Sequence, residues 1–264
     1  MNLFQSACLP IATTLMVACG GGGGGSAPTA VPATAAAAAT KAEGVYAGSL
    51  KSAALPSGAF NAIVLEDDSL WAIYGTADPQ GRLTVFGFIN GSGTSANGAY
   101  TVAGAKDFYY TGAVASGTVN ATYSPGVSIA GTTTGLTGSA STFSGTTAAI
   151  AGYTYASSAS LSDIAGTWSG SILSGAAATL TITSGGTYTG ASAGCTISGT
   201  VTPRASGKNV FDVSYVNGAA PCASPGLTAK GIGVVSSLAN GQKQLIVAGT
   251  NESKSTGTVF FAQR

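Results

Sequence analysis

The chain has no histidine, and only 7% of its 264 residues are charged. Without imidazole there is neither a Ser-His-Asp triad nor an imidazole metal site. Helical globular domains need far more charge than this on their solvent faces. The ten Lys and Arg nearly balance the nine Asp and Glu, leaving a formal net charge of +1. They are also scattered singly, so there is no electrostatic footprint for nucleic acid or for anionic lipid. Mean hydropathy is positive, yet beyond the first 18 residues no apolar run approaches the ~20 residues of a spanning helix. The alternating runs are also shorter than the ~9–11 residues of a spanning barrel strand.

Ser, Thr, Ala and 40 glycines take the place of charge, with hydrophobic residues at 45%. Thr alternates with Val, Ile, Leu or aromatics, the composition of strands with one wet face. The expected fold class is all-β.

Leu9 to Ala18 is a short apolar segment with the length of a signal-peptide core. It stops at Cys19, and Met16-Val17-Ala18-Cys19 resembles the lipobox of bacterial lipoproteins, in which the cysteine is acylated and becomes the new N-terminus. The Gly20 to Gly25 run and Ser26-Ala27-Pro28 are similar to the flexible leaders of proteobacterial lipoproteins. The resemblance implies a signal peptide over 1–18, a lipid on Cys19 and a membrane partner through that anchor. Gly20, where Asp would retain the protein at the inner membrane, implies outer-membrane sorting with the face open. The alternative is an ordinary signal peptide cut near Ala18 that leaves Cys19 free.

Of the four cysteines, Cys8 then leaves with the signal and Cys19 takes the lipid, so Cys195 and Cys222 remain. An even remainder in an oxidising compartment predicts one disulfide, with two buried thiols that never meet as the alternative.

Residues 19–42 read as a linker, a coil averaging roughly 25–30 Å end to end and reaching ~75 Å when stretched. A weak internal repeat follows. Gly44-Val45-Tyr46-Ala47-Gly48-Ser49-Leu50 returns as Gly166-Thr167-Trp168-Ser169-Gly170-Ser171-Ile172. After each copy come a strand, a tight polar turn and a strand bearing an aromatic and then a glycine. Two tandem domains, 43–155 and 160–264, are the simplest account. In the second, Ala178, Leu180 and Ile182 alternate with Thr179, Thr181 and Thr183, and Asn240-Gly241 marks a hairpin. Pro125-Gly126 marks a turn in the first. Leu161 to Ala165 is a candidate helical turn capped by Ser160 or Ser162.

A short helical turn and then Gly166-Thr167-Trp168 opening a meander resembles the calycin barrels, meaning lipocalins and avidins, and the small barrels of transferrin-binding-type surface lipoproteins. The resemblance implies small antiparallel β-barrels; Trp168 is expected to pack at a closed end, with ligand contact as the alternative.

Gly190-Ala191-Ser192-Ala193-Gly194 matches a nucleophile elbow but precedes a strand and has no histidine to work with. Glu66, Asp67 and Asp68 are either a hard-cation site or a solvated hairpin turn. Asp107 and Asp212 are glycosidase candidates only because acids are scarce. Asp107-Phe108-Tyr109-Tyr110 is the most aromatic stretch; as a strand it places Phe108 and Tyr110 on one face and Tyr109 on the other, so at least one large ring looks outward, as core or rim filling or as a recognition surface. No enzyme, cofactor, metal or nucleic-acid partner is expected.

The expected function is a non-enzymatic, lipid-anchored envelope protein that contacts a macromolecule or glycan through Tyr109 and Tyr110. One alternative is a carrier of a small apolar ligand, with Trp71, Tyr74, Phe86 and Phe88 lining a cavity of several hundred Å3. The other is a structural lipoprotein without a specific ligand.

Overall fold

The computed structural model describes residues 41–78, 83–136, 140–147, 152–238 and 240–264. The signal segment, Cys19 and the linker up to residue 40 lie outside the described residues. No helix among the described residues is long and apolar enough to cross a membrane.

Nine strands form the first sheet: β1 Gly44–Lys51, β2 Gly58–Val64, β3 Ser69–Ala77, β4 Leu83–Ser92, β5 Thr94–Ala96, β6 Ala99–Tyr109, β7 Val114–Ser124, β8 Ser128–Thr134 and β9 Ser141–Thr146. β1 pairs with β9, and β4 pairs with β6, so eight of them close into an antiparallel barrel. The short β5 pairs with β6 outside that ring. A four-residue helix, α1 Leu161–Ile164, leads into the second barrel. Ser160 holds its N-cap position without a side-chain cap; its hydroxyl meets that of Ser162 at 2.8 Å instead.

The second barrel is a closed meander of β10 Gly166–Ile172, β11 Ala177–Ile182, β12 Thr187–Ser192, β13 Cys195–Pro203, β14 Phe211–Asn217, β15 Thr228–Ser237, β16 Lys243–Thr250 and β17 Gly257–Gln263. The fold is thus all-β, with two closed eight-stranded antiparallel barrels.

The repeated heptapeptide occupies the same place in each barrel. Tyr46 and Trp168, third in each copy, are both 0% exposed. Each polar tip donates to a carbonyl four residues back, Tyr46 Oη to Ala42 at 2.9 Å and Trp168 Nε1 to Ile164 at 2.7 Å. The fifth residue, Gly48 or Gly170, lies against the barrel's last strand. A Cβ there would sit 2.0 Å from the Ser144 carbonyl oxygen or 1.8 Å from that of Phe261. Only glycine lets the first and last strands approach closely enough to seal either barrel.

Period two sorts the rest of the side chains. Inside the first barrel sit Phe60, Ala62, Leu70, Tyr100, Val119 and Ile129 around Tyr46. Inside the second sit Leu180, Ile182, Tyr188, Phe211, Leu245 and Phe260 around Trp168. Both barrels belong to one compact unit. Outward side chains of the first, Ile73, Phe88 and Phe108, pack on Leu173, Ala248 and Val259 of the second. A second patch joins Val45, Ile63 and Leu65 to Val210 and Ile232.

Candidate functional site

In each barrel the chain enters at one end and the opening lies at the other. The first barrel is entered at Gly44, and ion pairs gather at that end. Glu43 meets Lys208 at 2.7 Å, and Arg204 reaches Glu66 at 2.8 Å and Asp67 at 2.9 Å. Arg204 and Lys208 belong to the segment between β13 and β14, at the end of the second barrel where α1 enters. The far end of the second barrel abuts Phe88 and Phe108, since a Cβ on Gly257 would lie 2.6 Å from the Phe88 ring. Entry ends therefore meet entry ends, and both openings face away from Lys41, where the described chain begins.

The end where α1 enters is sealed. Arg264 stacks on the Trp168 ring at 4.0 Å and donates to the carbonyls of Ala165 at 2.6 Å and Asp163 at 3.1 Å. These bonds satisfy carbonyls that a one-turn helix leaves open. At the opposite end the barrel stays open as a recess of about 490 Å3. Ile172, Leu180, Ile197, Tyr215, Val247 and Phe260 supply its apolar wall, interspersed with small residues such as Ala176, Ala178 and Gly249. The Cys195–Cys222 disulfide lies at its rim and ties the 218–227 loop to the start of β13.

The first barrel is fuller. It holds an apolar void of only about 40 Å3 and a mouth of about 150 Å3 next to Tyr74, Phe86, Asp107 and Tyr109. Asp107 is 1% exposed and accepts from the Tyr74 hydroxyl at 2.9 Å on both carboxylate oxygens. Burial, the Asp107 charge and that bond push the Tyr74 hydroxyl far above the usual phenol range, so it stays a donor. Burial, with Tyr123 and Glu43 nearby, likewise pushes Tyr46 up to about 12.

The four aromatics expected to line one cavity separate into two pairs. Tyr74 and Phe86 face the first barrel's mouth, whereas Trp71 and Phe88 point to the other face and line a gap of about 100 Å3 against the second barrel. The reason is a bulge. Tyr74 pairs with Gly87 but Gly75 pairs with Val85, which leaves Phe86 as an extra residue. A bulge shifts the alternation by one, so Phe86 and Phe88 fall on opposite faces. An apolar recess of several hundred Å3 lies instead in the second barrel, and none of the four reaches it.

Tyr109 leans on the first barrel's core, while Tyr110 beyond it is 46% exposed. Their ring centroids are 4.7 Å apart, and Phe86 adds a third ring 6.2 Å from Tyr110. Phe108, expected to share a face with Tyr110, is buried against the second barrel. The strand ends at Tyr109 and the chain turns, so alternation no longer governs Tyr110.

The acidic triple lies in the hairpin turn between β2 and β3, as expected, but ion pairs hold it to the second barrel. Arg204 gathers Glu66, Asp67 and, at 2.6 Å, Asp212. Asp68 takes the Ser95 hydroxyl at 2.7 Å and lies 3.5 Å from Lys41. Burial by itself lowers the Arg204 pKa, but its bonds to Glu66 and Asp212 outweigh that and hold it charged. A lone arginine amid scattered charge gave no signal of this role. Among the described residues no group of three or more His, Cys, Asp or Glu is arranged to hold a metal ion.

Asp107 and Asp212 do not face each other: one is inside the first barrel, the other on the outer wall of the second beside Arg204. Ser192 of the Gly-x-Ser-x-Gly match ends β12 and donates to the Ala177 carbonyl at 2.9 Å, with a strand rather than a helix after it. A polar groove of about 750 Å3, lined by Asp67, Asn90, Asp212, Lys230 and Lys254, runs between the barrels.

No protein-family model and no curated protein matches the chain. Two of the solved structures that align with it do so at low similarity. One is a double mutant of the vaccine antigen transferrin binding protein B from Haemophilus parasuis, with 8% identity, 83% of this chain and 76% of that one covered, and a TM-score of 0.27. The other is a protein of unknown function of the DUF3598 family from Nostoc punctiforme, with 11% identity, 84% and 96% covered, and a TM-score of 0.25.

Proposed function

We propose that this chain is a non-enzymatic binding lipoprotein of the cell envelope, tethered through Cys19, whose second barrel holds a small apolar ligand or an apolar group of a larger one. The recess of about 490 Å3 carries this reading. Its size is within the ~300–1,000 Å3 range of ligand pockets, which are largely apolar with a few polar groups. A tether entering at Lys41 leaves the opening on the far side, toward solvent. The test is displacement of an environment-sensitive hydrophobic dye, together with native mass spectrometry of the soluble form lacking residues 1–19. Ala178→Trp, which places a large ring in the recess, is expected to lower dye affinity at least tenfold without changing the fold. Equal dye binding by the variant rejects the recess as the site.

The anchor has its own test. Cys19→Ser is expected to move the protein from the membrane pellet to the soluble fraction, and firm retention in the pellet rejects lipidation. Outer-membrane placement rests on the lipobox resemblance and on Gly20.

A second reading, contact with a macromolecule or glycan through the first barrel, is favoured by the rim of Tyr109, Tyr110 and Val114, the last 41% exposed. Exposed aromatics with an apolar neighbour are the usual anchors of contact surfaces. Loss of surface binding in Tyr109→Ser/Tyr110→Ser with unchanged dye binding assigns the contact to this rim.

A further inference from the structure

We infer that the recess of the second barrel selects uncharged ligands with one hydrogen-bonding group, which the Tyr215 hydroxyl receives, and rejects carboxylates of the same chain length. This inference rests on the recess being the ligand site.

None of the residues lining the recess is charged. Nor do three of its four rim segments, 173–176, 193–194 and 218–227, carry a charged residue. The fourth, 251–256, contains Glu252 and Lys254, and both line the outer groove rather than the recess. A carboxylate entering here would lose water without meeting a cation, the costliest way to bury a charge. A neutral head group faces no such penalty.

Three polar side chains of the wall are already committed. Tyr188 donates to the Ser214 carbonyl at 3.1 Å, Ser192 to that of Ala177 at 2.9 Å, and the Asn217 amide to that of Ser224 at 3.1 Å. Tyr215 differs. Its ring packs with the barrel core and lines the recess, but none of the hydrogen bonds among the described residues uses its hydroxyl. Burial raises its pKa, so the group is a neutral donor and acceptor throughout the physiological range. Its surroundings match a ligand with an apolar body and one alcohol or carbonyl.

The test compares dodecanol, dodecanoate and dodecane as competitors for the hydrophobic dye at pH 8, using wild type and Tyr215→Phe. Wild type is expected to bind dodecanol at least tenfold more tightly than dodecanoate. Tyr215→Phe is expected to weaken dodecanol about five- to tenfold, the worth of one hydrogen bond, and to leave dodecane unchanged. Unchanged dodecane binding also reports an intact recess. Dodecanoate equal to dodecanol overturns the charge selection, and an unaffected dodecanol affinity in Tyr215→Phe overturns the role of Tyr215. Failure of every competitor and of the dye overturns the recess as a ligand site, and the inference falls with it.

Discussion

The two barrels open with the same heptapeptide pattern and close with the same glycine-dependent strand approach, yet one is nearly filled and the other half empty. In the first, four tyrosines, 46, 74, 100 and 123, reach inward, and Asp107 and the Asp68 carbonyl receive two of their hydroxyls. In the second, bulk concentrates at the sealed end around Trp168 and Phe211, and small residues line the other. A barrel of eight strands is just wide enough for side chains to fill or for one small ligand. Choice of side chain, not topology, separates a filled barrel from one with an open recess.

The two barrels should differ most in their response to changes at their aromatic plugs. Trp168→Ala removes a fully buried ring, its bond to Ile164 and the surface on which Arg264 stacks, and is expected to cost about 3–5 kcal/mol. Tyr46→Phe at the equivalent place keeps the ring and loses only the bond to Ala42, expected to cost about 1 kcal/mol. Chemical denaturation of both variants measures the difference; a Trp168→Ala loss no larger than that of Tyr46→Phe contradicts the plug.

The disulfide belongs to the second barrel alone. It spans 27 positions, for which chain entropy gives about 3–4 kcal/mol. Cys195→Ser/Cys222→Ser is expected to lose about that much and to loosen the 218–227 rim, seen as faster amide exchange there and not in the first barrel. Uniform exchange changes in both barrels would show that the bond stabilises the unit as a whole.

Gly87→Ala probes the bulge. A Cβ there would lie 2.5 Å from the Tyr74 hydroxyl and 2.9 Å from the Phe108 carbonyl oxygen. Crowding of this kind costs about 1–3 kcal/mol, and tyrosine fluorescence should report displacement of Tyr74. A neutral effect on both measurements would mean that the strand absorbs the methyl.

Strand composition, the repeat and the aromatic position were legible because each follows from period two or from a local pattern. Ala178, Leu180 and Ile182 fall inside the barrel as alternation predicts. What alternation misses is any insertion that resets it. The Phe86 bulge separated an expected cavity wall into an inner and an outer pair, and a second register shift between Val102 and Ala105 places Asp107 inward and Phe108 outward. The recess was not legible either, since its walls are the inner faces of strands far apart in sequence and its signal is the smallness of Ala178 and Gly249. Arg204 and Arg264 act through partners up to 138 and 101 positions away, distances that no local pattern encodes.

The smallest expected effect concerns the clamp that joins the barrels. Burial raises the Asp67 pKa, but the hydroxyl and backbone N–H of Ser69 and the Arg204 charge outweigh it, and the carboxyl is held below its ordinary value. A depressed carboxyl contributes stability that is fully present above its unfolded pKa, about 4, and lost as pH falls through the folded value. Asp67 is 56% exposed, so solvent screening keeps this contribution small. The apolar contacts of Phe88, Phe108 and Val259 should therefore hold the barrels together in acid while the ionic end loosens. Below about pH 4 the full chain should show increased exchange at residues 65–69 and 204–212, with little change at 172–178 and 256–260. Arg204→Met should produce the same exchange pattern already at pH 7 and remove its acid dependence. If acid instead opens the Phe88 contact first, the ionic end is the stronger half of the junction.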